Sequence, residues 1–559
     1  MKEFLALPEK TPWRPGYSLT IHKIYQYALY MWSDLEIVSR TTKGLERYTF
    51  SDAARRIESL ANALRALGVS GLDRVATMDW NTHWHYETYF AAPMMGAVLH
   101  PLNVRLAPNE IAYIMNHAED KVLIVHSDFL KLAEAILPHA PSVEHVVIVD
   151  AESHPDRIAG RRLHNYEDLI KEHGGRFEWP ELDENRPAAM GYTSGTTGLP
   201  KGVYHSHRMI VVHALSGALA LATRGRRRVT GDDTLLHIVP MFHVLAWGLP
   251  YMATLTGMKQ VFPGRLDPKV LLDLIVGEKV TVTAGVPTIL YMLLSHPESG
   301  KYDLSGLLFV NGGQALPKGL ADAARKRGIE VIVGYGMTET APILTLANVP
   351  QKYMDRSEEL SLTTGWPVPL VELMVADPET LEPVPKDGKT MGEIVVRTPW
   401  VTPEYYKDPE KTEKAWRGGW FHTGDIAVWT PEGYIQIVDR DKDIIKSGGE
   451  WISSLRLESL ISQHPGVAQV AVIGARHPKW GERPVAIIVP KPGWQDKLTT
   501  EEVREWLAKN FVEKGEIPKW WLPDKIVLVD DLPKTSVGKI NKRSLREKFA
   551  NILEQEPQQ

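Results

Sequence analysis

Apolar residues recur three and four positions apart through SDAARRIESLANALRALGV, residues 51–69, where Ile57, Leu60, Leu64 and Leu67 share one face. That spacing predicts an amphipathic helix, with Thr49 or Ser51 able to cap its start. A short β-rich run, DRVATM, follows at 73–78. The same alternation returns at VEHVVIVD (143–150), KVTVTAGV (279–286), GLLFVNGG (306–313) and IEVIVGYG (329–336). Strands separated by helical stretches predict an α/β fold with substantial parallel sheet. After about residue 360 the pattern changes: LVELMVAD, GEIVVRTP and GYIQIVDRD read as antiparallel β structure. Beyond Arg440, the runs VAQVAVIG, RPVAIIVP and DKIVLVDD and the helical EEVREWLAKNFVEK suffice for a domain of roughly 100 residues with its own core. The charged run Asp439 to Lys442 has no apolar periodicity and sets the expected boundary. The expected organisation is a multidomain α/β chain. A large domain at 1–439, of sheets flanked by helices with a β-rich subdomain, precedes a small, mobile α+β domain at 440–559. The polar tail after Asn551 is expected to fray.

Composition narrows the function without naming it. A chain of 559 residues is long enough for two to four domains. A net charge of −5, without a dominant basic tract, gives little support to a nucleic-acid or anionic-membrane partner. MKEFLALPEK has no apolar signal region. MIVVHALSGALALATR (209–224) is interrupted by His213 and Ser216 and is too short to span a bilayer. These features lead to the expectation of a cytoplasmic protein without an integral membrane segment. There is no cysteine, which excludes disulfides, a cysteine nucleophile and thiolate metal sites. The sulfur of any thioester product must come from a co-substrate. The pairs His83/His85 and His205/His207 lack the HExxH context of a zinc site, and no GxSxG marks a hydrolase.

YTSGTTGLPKGV (192–203) carries the most chemistry per residue. A glycine-rich turn lets backbone N–H groups converge on an anion, Ser and Thr add hydroxyl donors, and Lys201 adds positive charge. The set suits a polyphosphate. It is not a Walker A loop, because Pro200 stands before Lys201 and no GK[ST] ending is present. On composition alone, a flexible Ser/Thr/Gly connection fits equally well.

The string resembles the phosphate loop of the adenylate-forming superfamily, which takes in acyl-CoA synthetases, the adenylation domains of peptide synthetases and firefly luciferase. Further segments match in the right order: PMFHV at 240–244, NGGQALP at 311–317, GYGMTET at 334–340, GWFHTGD at 419–425, DRDKDIIKSGGEWIS at 439–453 and PKTSVGKINKRSLR at 533–546. The resemblance implies a two-step reaction. ATP and a carboxylate give an acyl-adenylate and pyrophosphate, and a thiol, usually that of coenzyme A, then takes the acyl group. It implies that Thr193, Ser194, Gly195, Thr196, Thr197, Gly198 and Lys201 hold the β and γ phosphates. Tyr335 lies against adenine, with Gly313, Gln314, Gly334 and Gly336 allowing close backbone approach. Thr338 meets the α-phosphate, and Glu339 with Thr193 holds Mg²⁺, an ion that favours oxygen ligands. Asp425 accepts both ribose hydroxyls. Arg440, Lys442, Lys446 and Trp451 border the nucleotide or the coenzyme A channel, and Lys442 or Asp441 is the hinge. Lys539 is the catalytic residue, offsetting the charges of carboxylate and α-phosphate. Many members have glycine before the hinge arginine, where this chain has Asp439.

The acid is less legible. VPMFHVLAWGLPY (239–251) lines the acyl pocket in this resemblance, with His243 and Trp247 as its walls and Val244 and Trp247 beside the nucleotide. It contains no aspartate to meet an amino group, and an apolar lining fits a fatty or aryl acid. PMFHVxAW with DRxKDxIKSGGEWISS looks most like medium- to long-chain fatty-acyl-CoA synthetases. There the tryptophan can gate an acyl tunnel, and the N-terminal segment can contribute to a homodimer. An aryl or short-chain acid, or a carrier-protein thiol as acceptor, are the alternatives.

Overall fold

A computed structural model describes residues 17–193, 199–440, 443–448, 450–536 and 538–554. The first expected helix spans Phe50–Ala66 and starts with a reciprocal cap. The Asp52 N–H donates to Thr49 Oγ1 (3.2 Å), and the Thr49 N–H donates to Asp52 Oδ2 (2.9 Å). Thr49, not Ser51, is therefore the cap. Ile57, Leu60 and Leu64 are buried and Leu67 is half-buried, as the periodicity requires.

Two large sheets form the body. In the first, six parallel strands run in the order Pro187–Thr193, Val98–Pro101, Arg74–Met78, Asp120–His126, His145–Val149 and Arg161–Asn165. Antiparallel edge strands Lys201–Ser206 and Arg157–Ile158 close its two ends. In the second, Glu330–Gly336, Leu308–Asn311, Val282–Gly285, Thr234–Leu236, Lys259–Phe262 and Glu36–Thr41 are parallel. Ile343–Leu346 and Gly44–Thr49 flank them antiparallel. Helices His83–Met94 and His207–Thr223 are largely buried and share one core with Phe50, Phe90, Tyr251 and Phe262. The apolar run at 209–224 thus belongs to that core. Among the described residues no helix is long and apolar enough to cross a membrane. Glu87 is fully buried on the first of these helices, where Arg56 Nε (2.6 Å) and the Tyr166 hydroxyl (2.6 Å) satisfy its carboxylate.

Glu372–Ala376, Gly392–Arg397, Phe421–Trp429 and Ile435–Arg440 build a separate antiparallel sheet. The chain changes sheet after Arg440, because Ile445–Ser447 pairs with Glu450–Ile452 and with Gly481–Pro490 of a five-stranded C-terminal sheet. That sheet covers its own core with helices Ser454–Ile461 and Thr500–Leu507. The helix expected over 501–514 keeps α geometry only to Leu507. It then widens into a π turn at Ala508–Val512, on which Phe511 is buried.

Asp439 does not disturb its strand. It pairs with Ile426 in extended register, and its carboxylate, only 1% exposed, accepts from Ser454 N (2.9 Å) and Ser454 Oγ (2.6 Å). The Ser453 hydroxyl donates to the Val438 carbonyl (2.6 Å), and Lys542 Nζ bonds Ser454 Oγ (2.6 Å) and pairs with Glu458 (2.8 Å). The acidic side chain has become a strut between the two sheets.

Gly336 ends the strand that leads into the GYGMTET turn. A Cβ there would fall 1.8 Å from the Pro342 carbonyl oxygen, so the hairpin closes only over glycine. Gly336→Ala is expected to cost about 2–3 kcal/mol, the scale of overpacking in a closed site. Gly277→Ala, in open space at a helix end, should leave stability unchanged. Thermal unfolding of the two variants checks this.

Candidate active site

Strands Pro187–Thr193 and Lys201–Ser206 form a hairpin in which Thr193 pairs with Lys201, so the phosphate-type loop leaves and re-enters one sheet edge. Ser194, Gly195, Thr196, Thr197 and Gly198 lie outside the described residues, as does Lys442. The hairpin meets the second large sheet at the Thr338–Thr340 turn: a Cβ on Gly191 would contact Thr338 Cγ2 at 3.8 Å, and buried His205 lies beside the Thr338 backbone. Two edges of different sheets therefore bring together Thr193 and Lys201 with Thr338 and Glu339, which lie 137 or more residues further along the chain.

Glu339 is buried, and among the described residues its carboxylate takes one hydrogen bond, from the Tyr405 hydroxyl to Oε1 (2.8 Å). Thr193 Oγ1 is buried and has no partner among the described residues. An orphaned hydroxyl and a carboxylate with spare capacity, beside a phosphate-type loop, are the donor set that magnesium takes when phosphates and water complete its shell. Lys201 Nζ lies 3.8 Å from the Tyr405 ring centroid, and burial lowers its pKa from the ordinary lysine value despite nearby Glu339.

Tyr335, Asp425 and Arg440 form one chain of contacts. The Tyr335 hydroxyl donates to Asp425 Oδ2 (2.7 Å), and Arg440 Nε reaches Asp425 Oδ1 (3.0 Å). Strand register supports this, because Asp425 is paired directly with Arg440. Asp425 is 3% exposed, and Arg440 is half-exposed at the mouth. Tyr335 and Gly334 end the strand Glu330–Gly336, so the ring is presented at the carboxyl end of a parallel sheet, where such folds bind ligands.

The small domain supplies Lys539 on a tight loop. The Thr535 N–H donates to the Lys539 carbonyl (2.6 Å), the Lys539 N–H donates to Thr535 Oγ1 (3.1 Å), and Gly538 turns at φ 83°. The large domain holds this loop through Thr288 Oγ1 to the Gly538 carbonyl (2.8 Å) and Asn103 Nδ2 to Ser536 Oγ (2.8 Å). The Lys539 side chain lies over Gly313, where a Cβ would fall 2.8 Å from Lys539 Cε. Among the described residues no carboxylate forms an ion pair with it. Burial, then repulsion from Arg440, brings its pKa down to about 8. His243 faces the same space, and burial together with the Lys539 charge pushes its pKa down to about 3, leaving it neutral.

Trp247 is buried against Gly312, where a Cβ would meet the indole Cη2 at 2.6 Å. It closes a run, Val244–Trp247, of four non-glycine residues with φ between 36° and 60°. The Gln314 carbonyl accepts from Asn311 Nδ2 (3.0 Å), which fixes the loop carrying Gly313. Lys446 and Trp451 are exposed on the strands Ile445–Ser447 and Glu450–Ile452, which pair with each other, the first of them also with the Gly481–Pro490 strand; Ser536 and Gly538 touch the large domain. Sequence reasoning missed Tyr405, Thr288 and Asn103. TPEYYKDPE offers no spacing that marks its first tyrosine, and the other two are single residues, Thr288 in the first turn of the helix Pro287–Ser295 and Asn103 in a loop.

A profile of the AMP-binding enzyme family matches residues 28–406, and that of the AMP-binding enzyme C-terminal domain matches residues 456–539. The chain is 47% identical over 524 residues to the long-chain-fatty-acid–CoA ligase of Thermus thermophilus, covering 92% of this chain and 93% of that one. It is 38% identical to the medium-chain-fatty-acid–CoA ligase of Ectopseudomonas oleovorans, covering 96% and 98%. Among solved structures, the anthranilate CoA ligase AuaEII in complex with anthranoyl-AMP superposes with a TM-score of 0.82 at 25% identity, covering 95% of this chain and 97% of that one.

A lysine with a pKa near 8 gains nucleophilicity as pH rises through that value. Amine acylation followed by peptide mass spectrometry should show Lys539 reactivity rising with a midpoint near 8. Lys542 should stay protected over that range. Burial works against its charge, but Glu458 and Asp439 outweigh burial and hold its pKa above the ordinary value.

Proposed function

The chain belongs to the AMP-binding enzyme family, and we propose that it is an AMP-forming fatty-acid–CoA ligase. The observation that carries this is Lys539, held over Gly313 with no counter-ion among the described residues, in a cleft that also gathers Thr338, Tyr335 and Asp425. A site of that kind is made for an anion that arrives with the substrate. The similarity to ligases of long- and medium-chain fatty acids supports a fatty acid as the other substrate.

Tyr335 flanks the adenine, and Asp425, held by Tyr335 and Arg440, accepts the ribose hydroxyls. Lys201 and the loop 194–198 bind the β and γ phosphates. Glu339 and Thr193 would hold Mg²⁺, which when bound neutralises phosphate charge. The fatty acid carboxylate enters past His243. One of its oxygens attacks the α-phosphorus, and the bond to the bridging oxygen breaks as pyrophosphate leaves. The Lys539 ammonium lies between the two anions and stabilises the charge on the α-phosphoryl oxygens. His243 stays neutral beside it and so does not compete for the carboxylate.

In the second step the coenzyme A sulfur attacks the acyl carbonyl, loses its proton, and AMP departs with the electrons of the acyl–oxygen bond. Lys539 occupies the approach, so the small domain rotates between the steps about Asp441 or Lys442, both outside the described residues. In that second arrangement the hairpin with Lys446 and Trp451 faces the coenzyme A channel. A cytoplasmic homodimer, formed with help from the N-terminal segment, completes the proposal. Medium or long chain length remains its finest part. An aryl or short-chain acid, or a carrier-protein thiol, is the alternative for each substrate.

AMP release should require both a fatty acid and coenzyme A, with rates that pass through a maximum as chain length grows. Lys539→Ala should slow acid-dependent pyrophosphate exchange by about 100- to 1,000-fold. Acyl transfer from synthetic acyl-adenylate to coenzyme A should change far less. Equal losses in both half-reactions, or full activity with aryl acids alone, would remove the fatty-acid proposal in this form.

A further inference from the structure

We propose that Tyr405 is a positioning residue that holds the phosphate-loop lysine and the cation-binding carboxylate apart, so that a metal-bound nucleotide finds its place open. The proposal rests on the roles given above to Lys201 and Glu339. Tyr405 touches both. Its ring carries the Lys201 ammonium at 3.8 Å from the centroid, and its hydroxyl donates to Glu339 Oε1 at 2.8 Å. Lys201 and Glu339 have opposite charges and share a buried cleft, yet among the described residues they form no direct ion pair. The phenol stands between them, offering its negative face to the cation and its hydroxyl proton to the anion.

The segment around it is built to keep that position. The Thr402 N–H donates to the Glu339 carbonyl (2.7 Å), and the Tyr406 N–H donates to the Gly202 carbonyl (2.8 Å). One short stretch is thus fastened to the Thr338–Thr340 turn and to the strand that starts at Lys201. The Tyr405 N–H donates to Thr412 Oγ1 (3.0 Å), and its ring packs edge-on against Trp416 at 5.4 Å. Tyr405 is 5% exposed, and its hydroxyl donates to Glu339. Without this spacer, an ammonium and a carboxylate in a desolvated cleft attract and close on each other. The direct pair would occupy the space that phosphate oxygens and the cation need. With Oε1 held by the phenol, the second carboxylate oxygen is the one left for metal, an arrangement in which an outer hydrogen bond orients a ligand.

The test uses the full chain and two variants. Tyr405→Phe keeps the ring and loses the hydroxyl; Tyr405→Leu loses both. Mn²⁺ binding is read by electron paramagnetic resonance in the presence of a non-hydrolysable ATP analogue, and binding of that analogue in EDTA is read by calorimetry. Tyr405→Phe should weaken Mn²⁺ binding about tenfold while metal-free analogue affinity stays within about twofold, because Lys201 keeps its seat. Tyr405→Leu should weaken both. In a Glu339→Gln background, Tyr405→Phe should have no further effect on Mn²⁺. Should Tyr405→Leu fail to fold, that cycle decides alone. Unchanged Mn²⁺ affinity in Tyr405→Phe, or an equal additional loss in the Glu339→Gln background, would overturn the spacer role and leave the function standing. A native protein that binds the analogue no better with Mn²⁺ than without it would overturn the role of Glu339, and the proposal with it.

Discussion

A buried ammonium with no ion-paired carboxylate among the described residues is the constraint on which the rest of this structure depends. Lys539 is desolvated between two domains, and its pKa falls to about 8 as a result. Burying charge without a partner is unfavourable, so the arrangement persists only because other contacts hold the loop in place. The large domain supplies them through Thr288 and Asn103. Lys201 repeats the theme at the other end of the cleft, lowered by burial and seated on an aromatic face. Arg440 is treated differently, since Asp425 pairs with it. Two cations are kept in reserve for an incoming anion, and the third serves to position a carboxylate.

The contacts that dock Lys539 are individually modest. A neutral hydrogen bond contributes about 1 kcal/mol net, so a few of them can hold the small domain and still release it. Asp439 adds an opposing anchor. Its carboxylate reaches Ser454 on the first helix of the small domain, and Lys542 and Glu458 complete a buried charged cluster behind it. The strand that ends the antiparallel sheet is therefore tied to the domain that carries Lys539. Where glycine would leave this link loose, aspartate makes it part of a network whose members are all satisfied. The orientation of Lys539 is consequently set by domain docking more than by its own rotamer.

The parts that were legible in the sequence share one property: they are encoded locally. The periodicity of 51–69 gave a helix because one face must be apolar, and the β-rich runs at 279–286, 306–313 and 329–336 became neighbouring parallel strands. The loop at 192–203 and the GYGMTET turn were visible because glycines and hydroxyls must sit at fixed offsets to approach phosphate. Gly336 is fixed by a local need of its own, since a Cβ there would fall 1.8 Å from the Pro342 carbonyl oxygen and keep the hairpin from closing. What was hidden depends on contacts between distant segments. Tyr405 meets Glu339 and Lys201 across 66 and 204 positions, and no pattern in TPEYYKDPE announces either. Strand order was hidden too. Nothing in the local pattern says that Glu36–Thr41 pairs with Lys259–Phe262, more than 200 residues later.

The same division explains why the activating chemistry is easier to read than the acid. The adenylating groups lie at ends of strands, where backbone geometry dictates residue type. The acyl side is shaped by packing. Val244 to Trp247 adopt positive φ one after another, a conformation that costs about 1–2 kcal/mol for each non-glycine residue. Such a run cannot be the preference of its own sequence. It holds because Leu245, Ala246 and Trp247 are buried and because Gly312 leaves room for the indole. Strain that persists only under the pressure of its surroundings is a mark of a functional wall. The depth of the pocket behind that wall is then set by whichever distant side chains press on it. A motif such as VPMFHVLAWGLPY can therefore mark the place proposed for the acid without stating how long the acid is.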